Sequence, residues 1–98
     1  MTGELARLLD TLRARRSSAR NDFGLEIVGV TGSWARGNPR PDSDVDVVLR
    51  IIAEVTLYDL VRLREMLEAD LGRPIDLILS EDLRPERRAY LERDLVEL

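Results

Sequence analysis

The sequence predicts an α+β domain in which helices pack against a small mixed sheet of about three strands, in the chain order αβαβαβα. Leucines recur at helical spacing near the start and in the middle of the chain, which indicates amphipathic helices. Short apolar runs bounded by turn-forming residues alternate with these helices, which indicates buried strands. The chain has 98 residues and neither an internal repeat nor a linker, so we expect a single domain over residues 1–98.

The first predicted element is a helix with one apolar face. Its leucines occupy positions i, i+3, i+4 and i+7: Leu5, Leu8, Leu9 and Leu12. The apolar pattern fades after these leucines, and we expect the helix to end by Asn21 or Gly24. An apolar run over residues 25 to 31 follows and is predicted to be the first strand.

Small residues and prolines separate the first strand from the second. Gly32 and Ser33 are predicted to end the first strand and to open a short helical turn that continues to Arg36. The loop that follows, through Pro41, is predicted to be irregular because proline fixes its own backbone and lacks an N–H donor. Residues 44 to 51 are predicted to form the second strand.

Capping signals delimit the central helix and the strand that follows it. Thr56 and Asp59 have the spacing of a capping box, which predicts a helix start. The apolar face of this helix is expected to contain Leu60, Leu63, Leu67 and Leu71. Gly72, with Pro74 just beyond it, supplies the stop, and residues 75 to 79 are predicted to be the third strand.

The chain is predicted to close with a fourth helix. Ser80 or Asp82 is expected to cap it, with Pro85 in its first turn, where the missing N–H of proline costs nothing. Its apolar residues are Leu91, Leu95 and Leu98. This helix completes the predicted order.

Composition excludes several kinds of site. Cysteine and histidine are both absent, so the chain has no disulfide, no thiolate zinc site and no imidazole base. Any catalysis therefore depends on carboxylates. No apolar run is long enough to span a membrane, and the first twenty residues lack the core of a signal peptide, so we expect a cytoplasmic protein.

The charge balance bears on the kind of partner. The net charge is −4, which argues against direct binding of a long nucleic acid because such binding depends on cationic side chains that neutralise phosphates. A small nucleotide accompanied by metal ions is compatible with this charge. All fifteen basic residues are arginine, which suits bidentate contacts to phosphate, although a codon bias towards arginine explains the same observation.

Three aspartates occupy strand-like apolar surroundings. Asp44 and Asp46 alternate along the second predicted strand and therefore project from the same face. Asp76 interrupts the apolar third strand. If the two strands are neighbours, three carboxylates converge, and their mutual repulsion calls for bound cations such as two Mg²⁺ ions. An isolated Asp-x-Asp near a turn is more often a solvated loop feature, so the inference depends on the ordered combination with the Gly-Ser turn.

The sequence Gly32-Ser33-x-Ala35-Arg36-Gly37, followed by Ser43-Asp44-x-Asp46, resembles the signature of the DNA polymerase beta-type nucleotidyltransferase superfamily. More narrowly, the chain resembles the minimal nucleotidyltransferases that occur as antitoxins beside HEPN-domain ribonuclease toxins. The stretch Arg73-Pro74-Ile75-Asp76-Leu77 is similar to the C-terminal half of that family. The resemblance implies the polymerase beta-like nucleotidyltransferase fold.

The resemblance also implies roles for the three acids. Asp44 and Asp46 would bind two Mg²⁺ ions, one of which accompanies the triphosphate. Asp76 would complete the second metal site and help to deprotonate the attacking hydroxyl group. All three would therefore be both metal-binding and catalytic.

The nucleotide-binding roles follow from the same resemblance. Gly32 and Ser33 would hold the β- and γ-phosphates of ATP. Arg36 would stabilise the charge that develops on the pyrophosphate leaving group, and Ser43 would belong to the same nucleotide-binding set. The reaction would be in-line attack of a hydroxyl group on the α-phosphorus.

The residues do not identify the molecule that accepts the nucleotide. The resemblance suggests that AMP is transferred to a hydroxyl group of a HEPN toxin, which is thereby silenced. Two alternatives remain: an antitoxin that neutralises its toxin by binding alone, and a nucleotidyltransferase that modifies a small molecule. Neither the base preference nor the oligomeric state can be read from the residues.

Overall fold

A computed structural model describes residues 3–40, 43–82 and 84–98, so the predicted loop residue Pro41 lies outside the described residues. The helices are α1 (Gly3–Ala14), α2 (Arg16–Phe23), α3 (Leu57–Leu71) and α4 (Pro85–Asp94). The strands are β1 (Leu25–Thr31), β2 (Val45–Ile51), β3 (Ile75–Leu79) and β4 (Val96–Glu97). No helix in these ranges is long and apolar enough to cross a membrane.

The four strands form one mixed sheet in the order β3-β2-β1-β4. β1 runs antiparallel to both β2 and β4, whereas β2 and β3 run parallel, joined by α3 as the crossover. The predicted α+β fold with a mixed sheet is confirmed, and β2 and β3 are neighbours as the placement of the aspartates required. The sheet has one strand more than the three that the sequence indicated.

The first predicted helix is in fact two helices, which meet at Arg15. The backbone of Arg15 leaves the helical conformation, with φ −101° and ψ 0°. The break allows two apolar faces to reach the core, because α1 buries its four leucines while α2 buries Ala19 and Phe23. The end of the second helix at Gly24, in the left-handed conformation with φ 68°, agrees with the prediction.

The C-terminus differs most from the prediction. The last helix ends at Asp94, so the prediction of Leu95 and Leu98 as helical residues is wrong. The chain instead adds β4 to the edge of the sheet, and the N–H of Leu98 donates to the carbonyl oxygen of Val28 at 3.1 Å. Gly29 permits this pairing because a Cβ at that position would overlap the carbonyl oxygen of Val96.

The helix ends follow the predicted chemistry for α3 but not for α4. Thr56 and Asp59 form the predicted capping box, and Gly72 ends α3 in the left-handed conformation. α4 begins at Pro85 with Arg84 in the N-cap position and no side-chain cap. The predicted cap at Ser80 or Asp82 is therefore wrong, since Ser80–Asp82 forms a separate turn of 3₁₀ helix.

The hydrophobic core lies between α1, α2 and α3 and one face of the sheet. The side chains of β2 alternate as predicted, with Val45, Val47 and Leu49 fully buried on the core side. Leu63 and Leu67 contribute the buried face of α3. The other face of the sheet lies towards α4, which buries none of its own residues. This less covered face carries Asp46 and Asp76.

An ion pair between Arg15 and Asp70 joins the helix break to α3. Arg15 donates through Nη2 to Oδ1 of Asp70 at 2.9 Å and through Nε to Oδ2. These hydrogen bonds hold the pKa of Asp70 below its usual range, and the pKa of Arg15 is raised in turn. An arginine that donates two hydrogen bonds to one carboxylate forms a stronger ion pair than an arginine that donates one.

Stability that comes from a carboxylate with a lowered pKa is present above its unfolded pKa and is lost as pH falls through the folded value. We therefore expect Asp70→Asn to lower Tm at neutral pH, with the difference from the wild type closing as the pH falls below about 4. Thermal unfolding of both proteins from neutral pH to below pH about 4 measures this difference in Tm. A difference in Tm that does not change with pH would contradict the assigned role of the charge.

Candidate active site

Three neighbouring strands place polar residues side by side on the face of the sheet towards α4. Asp46 of β2 is the register partner of Asp76 in β3 and of Thr31 in β1. Asp44 lies directly before β2 and two residues from Asp46, and it is exposed. The predicted convergence of acids from two strands thus follows from the parallel pairing of β2 with β3.

The electrostatic environment of Asp46 shows that the three acids interact. The pKa of Asp46 is raised, first by its partial burial and then by the negative charges of Asp76 and Asp44. The positive charge of Arg36 lowers the pKa of Asp46 and opposes these effects in part. A half-buried carboxylate beside two others is a site where a cation would relieve repulsion.

The turn after β1 passes directly beside this carboxylate. Gly32 has φ +78°, and a Cβ at this position would overlap Oδ2 of Asp46. The backbone conformation therefore favours glycine at position 32, and any side chain there would displace either the turn or the carboxylate of Asp46. The turn and the acid form one compact unit.

The residues after Gly32 form a single hydrogen-bonded turn, which agrees with the predicted short helical turn. The N–H of Arg36 donates to the carbonyl oxygen of Gly32 at 3.1 Å, and the N–H of Asn38 donates to that of Ser33 at 3.1 Å. Gly37 adds a bond from its N–H to Trp34, and it has a positive φ of 79°. These bonds fix the turn in one shape.

Trp34 anchors the turn to the core. Only 4% of its surface is exposed, and the guanidinium of Arg73 lies 4.7 Å from the centroid of its ring. The indole Nε1 has no hydrogen-bond partner within the described residues. Trp34 is thus a packing residue and not an exposed stacking surface.

Arg36 connects the turn to α4. Its Nη1 donates to Oδ2 of Asp94 at 2.9 Å. The same guanidinium is close enough to Asp46 to lower the pKa of that carboxyl group. Arg36 therefore lies between the acids and the last helix, where it could contact a phosphate group.

Ser43 has a local structural role. Its hydroxyl oxygen accepts from the N–H of Arg40 at 2.9 Å, and its own N–H donates to the carbonyl oxygen of Arg40 at 3.0 Å. These two bonds shape the chain just before Asp44. The role of Ser43 in nucleotide binding stays a prediction.

A cleft of about 400 Å³ lies between the acids and α4, a volume in the usual range for small-molecule sites. Its polar and charged lining consists of Thr31, Arg36, Asp46, Asp76, Arg87, Tyr90 and Asp94. Among the described residues, Ser33, Ser43 and Asp44 do not line it. Gly32, Arg36, Asp46 and Asp76 are the predicted site residues that it brings together.

The contribution of α4 to this cleft was not predicted. Arg87, Tyr90 and Asp94 stand at positions i, i+3 and i+7 and therefore lie on one face of the helix. This spacing is present in the sequence, but it forms no apolar face and therefore does not indicate which way the helix packs. Only the packing of α4 across the sheet shows that the face points to the acids.

The donor chemistry suits Mg²⁺. Carboxylate oxygens are its preferred protein ligands, and Mg²⁺ is often held by one or two carboxylates plus water and substrate phosphates. Within residues 3–40, 43–82 and 84–98, no group of three acidic side chains forms a metal-binding set by itself. The half-buried Asp46 and its neighbouring acids fit an ion that arrives with a nucleotide, because Mg²⁺ can take its other ligands from phosphates and water. The number of ions stays a prediction.

Comparisons with known proteins agree with this geometry. A family model described as nucleotidyltransferase domain matches residues 10–98. The protein adenylyltransferase MntA of Thermococcus cleftensis is 35% identical over 85 residues, which cover 87% of this chain and 86% of that protein.

Two solved structures have a similar fold. A structure described as a minimal nucleotidyltransferase gives a TM-score of 0.74 at 39% identity, over 92% of this chain and 95% of the other. A toxin–antitoxin structure with AMP-PNP gives a TM-score of 0.58 at 19% identity, over 85% of this chain and 61% of the other. The predicted polymerase beta-like fold is confirmed by these likenesses.

Proposed function

This chain belongs to the nucleotidyltransferase domain family, as one of its minimal members, and on that premise we propose that it transfers AMP from ATP to a hydroxyl group of a partner protein. The observation that carries the proposal is the half-buried Asp46, flanked by Asp44 and Asp76 and in close approach to the Gly32 turn. A protein acceptor is supported by the similarity to a protein adenylyltransferase.

The acids and the turn have separate tasks in this proposal. Asp44, Asp46 and Asp76 would hold Mg²⁺, which would neutralise phosphate charge and make the α-phosphorus more open to attack. The turn at Gly32 and Ser33 holds the β- and γ-phosphates, since its fixed backbone can approach them closely.

The transfer needs one proton acceptor and one stabilised leaving group. The hydroxyl oxygen of the partner protein bonds to the α-phosphorus, and a carboxylate oxygen of Asp76 takes the proton that this hydroxyl loses. The bond from the α-phosphorus to the oxygen bridging to the β-phosphate breaks, and pyrophosphate leaves. Arg36 stabilises the charge on this leaving group. Positioning and electrostatics account for the catalysis, so histidine is not needed.

The proposed acceptor is a HEPN-type ribonuclease toxin in the cytoplasm, which AMP transfer silences. The resemblance of the Gly32 to Asp46 motif to that of the minimal nucleotidyltransferase antitoxins motivates this partner, and the fold shared with a toxin–antitoxin structure agrees with it. A tyrosine hydroxyl on the toxin is the kind of nucleophile that the site can accept.

Intact-mass analysis tests the proposal. A HEPN-type protein that co-purifies with this chain, incubated with it, ATP and Mg²⁺, is expected to gain the mass of one or more AMP groups. The double variant Asp44→Asn/Asp46→Asn is expected to produce no gain. A toxin that is neutralised without any gain in mass would refute the transferase proposal.

An antitoxin that acts by binding alone is the second candidate. Neutralisation at one antitoxin per toxin, unchanged in the double variant, would support binding. Neutralisation by a small fraction of an equivalent would support catalysis.

A further inference from the structure

Tyr90 is an aromatic residue left exposed at the edge of the catalytic cleft. It lies on α4, lines the cleft that contains Asp46 and Asp76, and has 67% of its surface exposed. A large aromatic side chain gains little from such a position in the folded domain, because little of its apolar surface is removed from water. The position is suited to a ligand with a flat face.

Two contacts hold this part of α4 against the turn at Gly32. The hydroxyl of Thr31 donates to the carbonyl oxygen of Leu91 at 3.3 Å, and Arg36 donates to Asp94 at 2.9 Å. Leu91 directly follows Tyr90, and Asp94 lies one helical turn beyond it. The ring is therefore tied at short range to the turn proposed to hold the phosphates.

One arginine lies against the ring, and others line the same cavities. The guanidinium of Arg93 lies 5.9 Å from the centroid of Tyr90, and Arg87 lines the same cleft. A recess of about 260 Å³, lined by Arg36, Tyr90, Arg93 and Asp94, adjoins the cleft through shared residues. Aromatic rings beside arginines are a usual combination for stacking a base while its phosphates are neutralised.

We propose that Tyr90 is the stacking surface for the nucleobase of the bound nucleotide, with Arg93 and Arg36 beside it, an inference that rests on the proposed function. The phosphates lie at the Gly32 turn and the acids, and the base extends along α4 to the ring. Stacking tolerates any base because every base has a π face. The stack on Tyr90 therefore does not by itself select one base.

Tyr58 provides a matched control. It is 68% exposed, and the guanidinium of Arg62 lies 5.7 Å from its ring, so its surroundings are close to those of Tyr90. It lies at the start of α3 and does not line the cleft. A loss of ATP binding caused only by removal of an exposed tyrosine would occur in both variants.

Calorimetric titration with MgATP and with magnesium tripolyphosphate separates the base from the phosphates. Tyr90→Ala is expected to weaken MgATP binding by about 5- to 150-fold, the usual effect of losing one base–aromatic stack. Binding of tripolyphosphate is expected to be unchanged, which also shows that the variant is folded. Tyr90→Phe keeps the ring and is expected to bind MgATP as the wild type does, as is Tyr58→Ala.

The other outcomes overturn the inference in distinguishable ways. Unchanged MgATP binding in Tyr90→Ala would refute stacking while leaving the proposed function intact. Equal weakening in Tyr90→Phe would assign the effect to the hydroxyl group instead of the ring. Equal weakening of tripolyphosphate binding would show that Tyr90 acts on the phosphate site. Absence of binding of both ligands to the wild type would refute the proposed function together with the inference.

Discussion

Asp46→Asn is expected to reduce AMP transfer by about 1,000-fold or more and at the same time to raise Tm. The loss follows because a bound metal ion contributes several kcal/mol to the transition state, and about 1.4 kcal/mol corresponds to a factor of ten. Tm is expected to rise because Asp46 is half-buried beside Asp76 and Asp44, so its charge opposes folding when no cation is bound. Asparagine keeps the shape and removes the charge.

The two effects are measured by single-turnover transfer from MgATP and by thermal unfolding without metal. Asp10→Asn is the control, since it removes the same charge from an exposed pair with Arg13 on α1, far in sequence from the site. We expect it to alter neither quantity appreciably, because exposed ion pairs contribute little. A variant at Asp46 that transfers AMP at the wild-type rate would exclude this residue from catalysis.

Gly32→Ala is expected to reduce transfer by about 100-fold, since a displacement of about 1 Å in a catalytic site has effects of that size. The added Cβ would overlap Oδ2 of Asp46, so either the turn or the carboxylate must move. The positive φ of +78° adds backbone strain, which costs about 1–3 kcal/mol of stability for a residue other than glycine.

Gly72→Ala separates the two causes. Gly72 also has a positive φ, of 66°, but its added Cβ would meet no atom within 4 Å. This variant should lower the free energy of unfolding by a similar strain energy while it leaves transfer unchanged. The comparison uses denaturant unfolding and transfer kinetics on both variants. Equal activity losses in the two would mean that strain or instability, and not the contact with Asp46, governs the effect.

The sequence contained most of what local chemistry controls. Alternation of apolar residues and aspartates along residues 44–51 predicts which side chains face the core, because strand side chains repeat every two residues. The capping box at Thr56 and the stop at Gly72 depend on neighbouring atoms alone, and both are confirmed. The acid positions and the Gly-Ser turn were likewise readable from short spacings.

Features that depend on distant parts of the chain were mispredicted or missed. The first two helices are separated at Arg15, whose side chain pairs with Asp70 in α3. The C-terminal strand depends on the free edge of β1 and the close approach at Gly29. A leucine pattern that continues past Asp94 indicates a helix, but the hydrogen bonds offered by a sheet edge outweigh so weak a preference.

The amino-acid sequence alone thus determined the fold class, the carboxylate chemistry and the turn that carries Gly32. The packing of distant elements determined that α4 crosses the face bearing Asp46 and that Tyr90 lines the cleft. The physical reason is one of range. Capping, turn geometry and side-chain alternation act between residues a few positions apart, whereas the lining of a cleft depends on contacts between residues more than forty positions apart, such as Arg36 and Asp94.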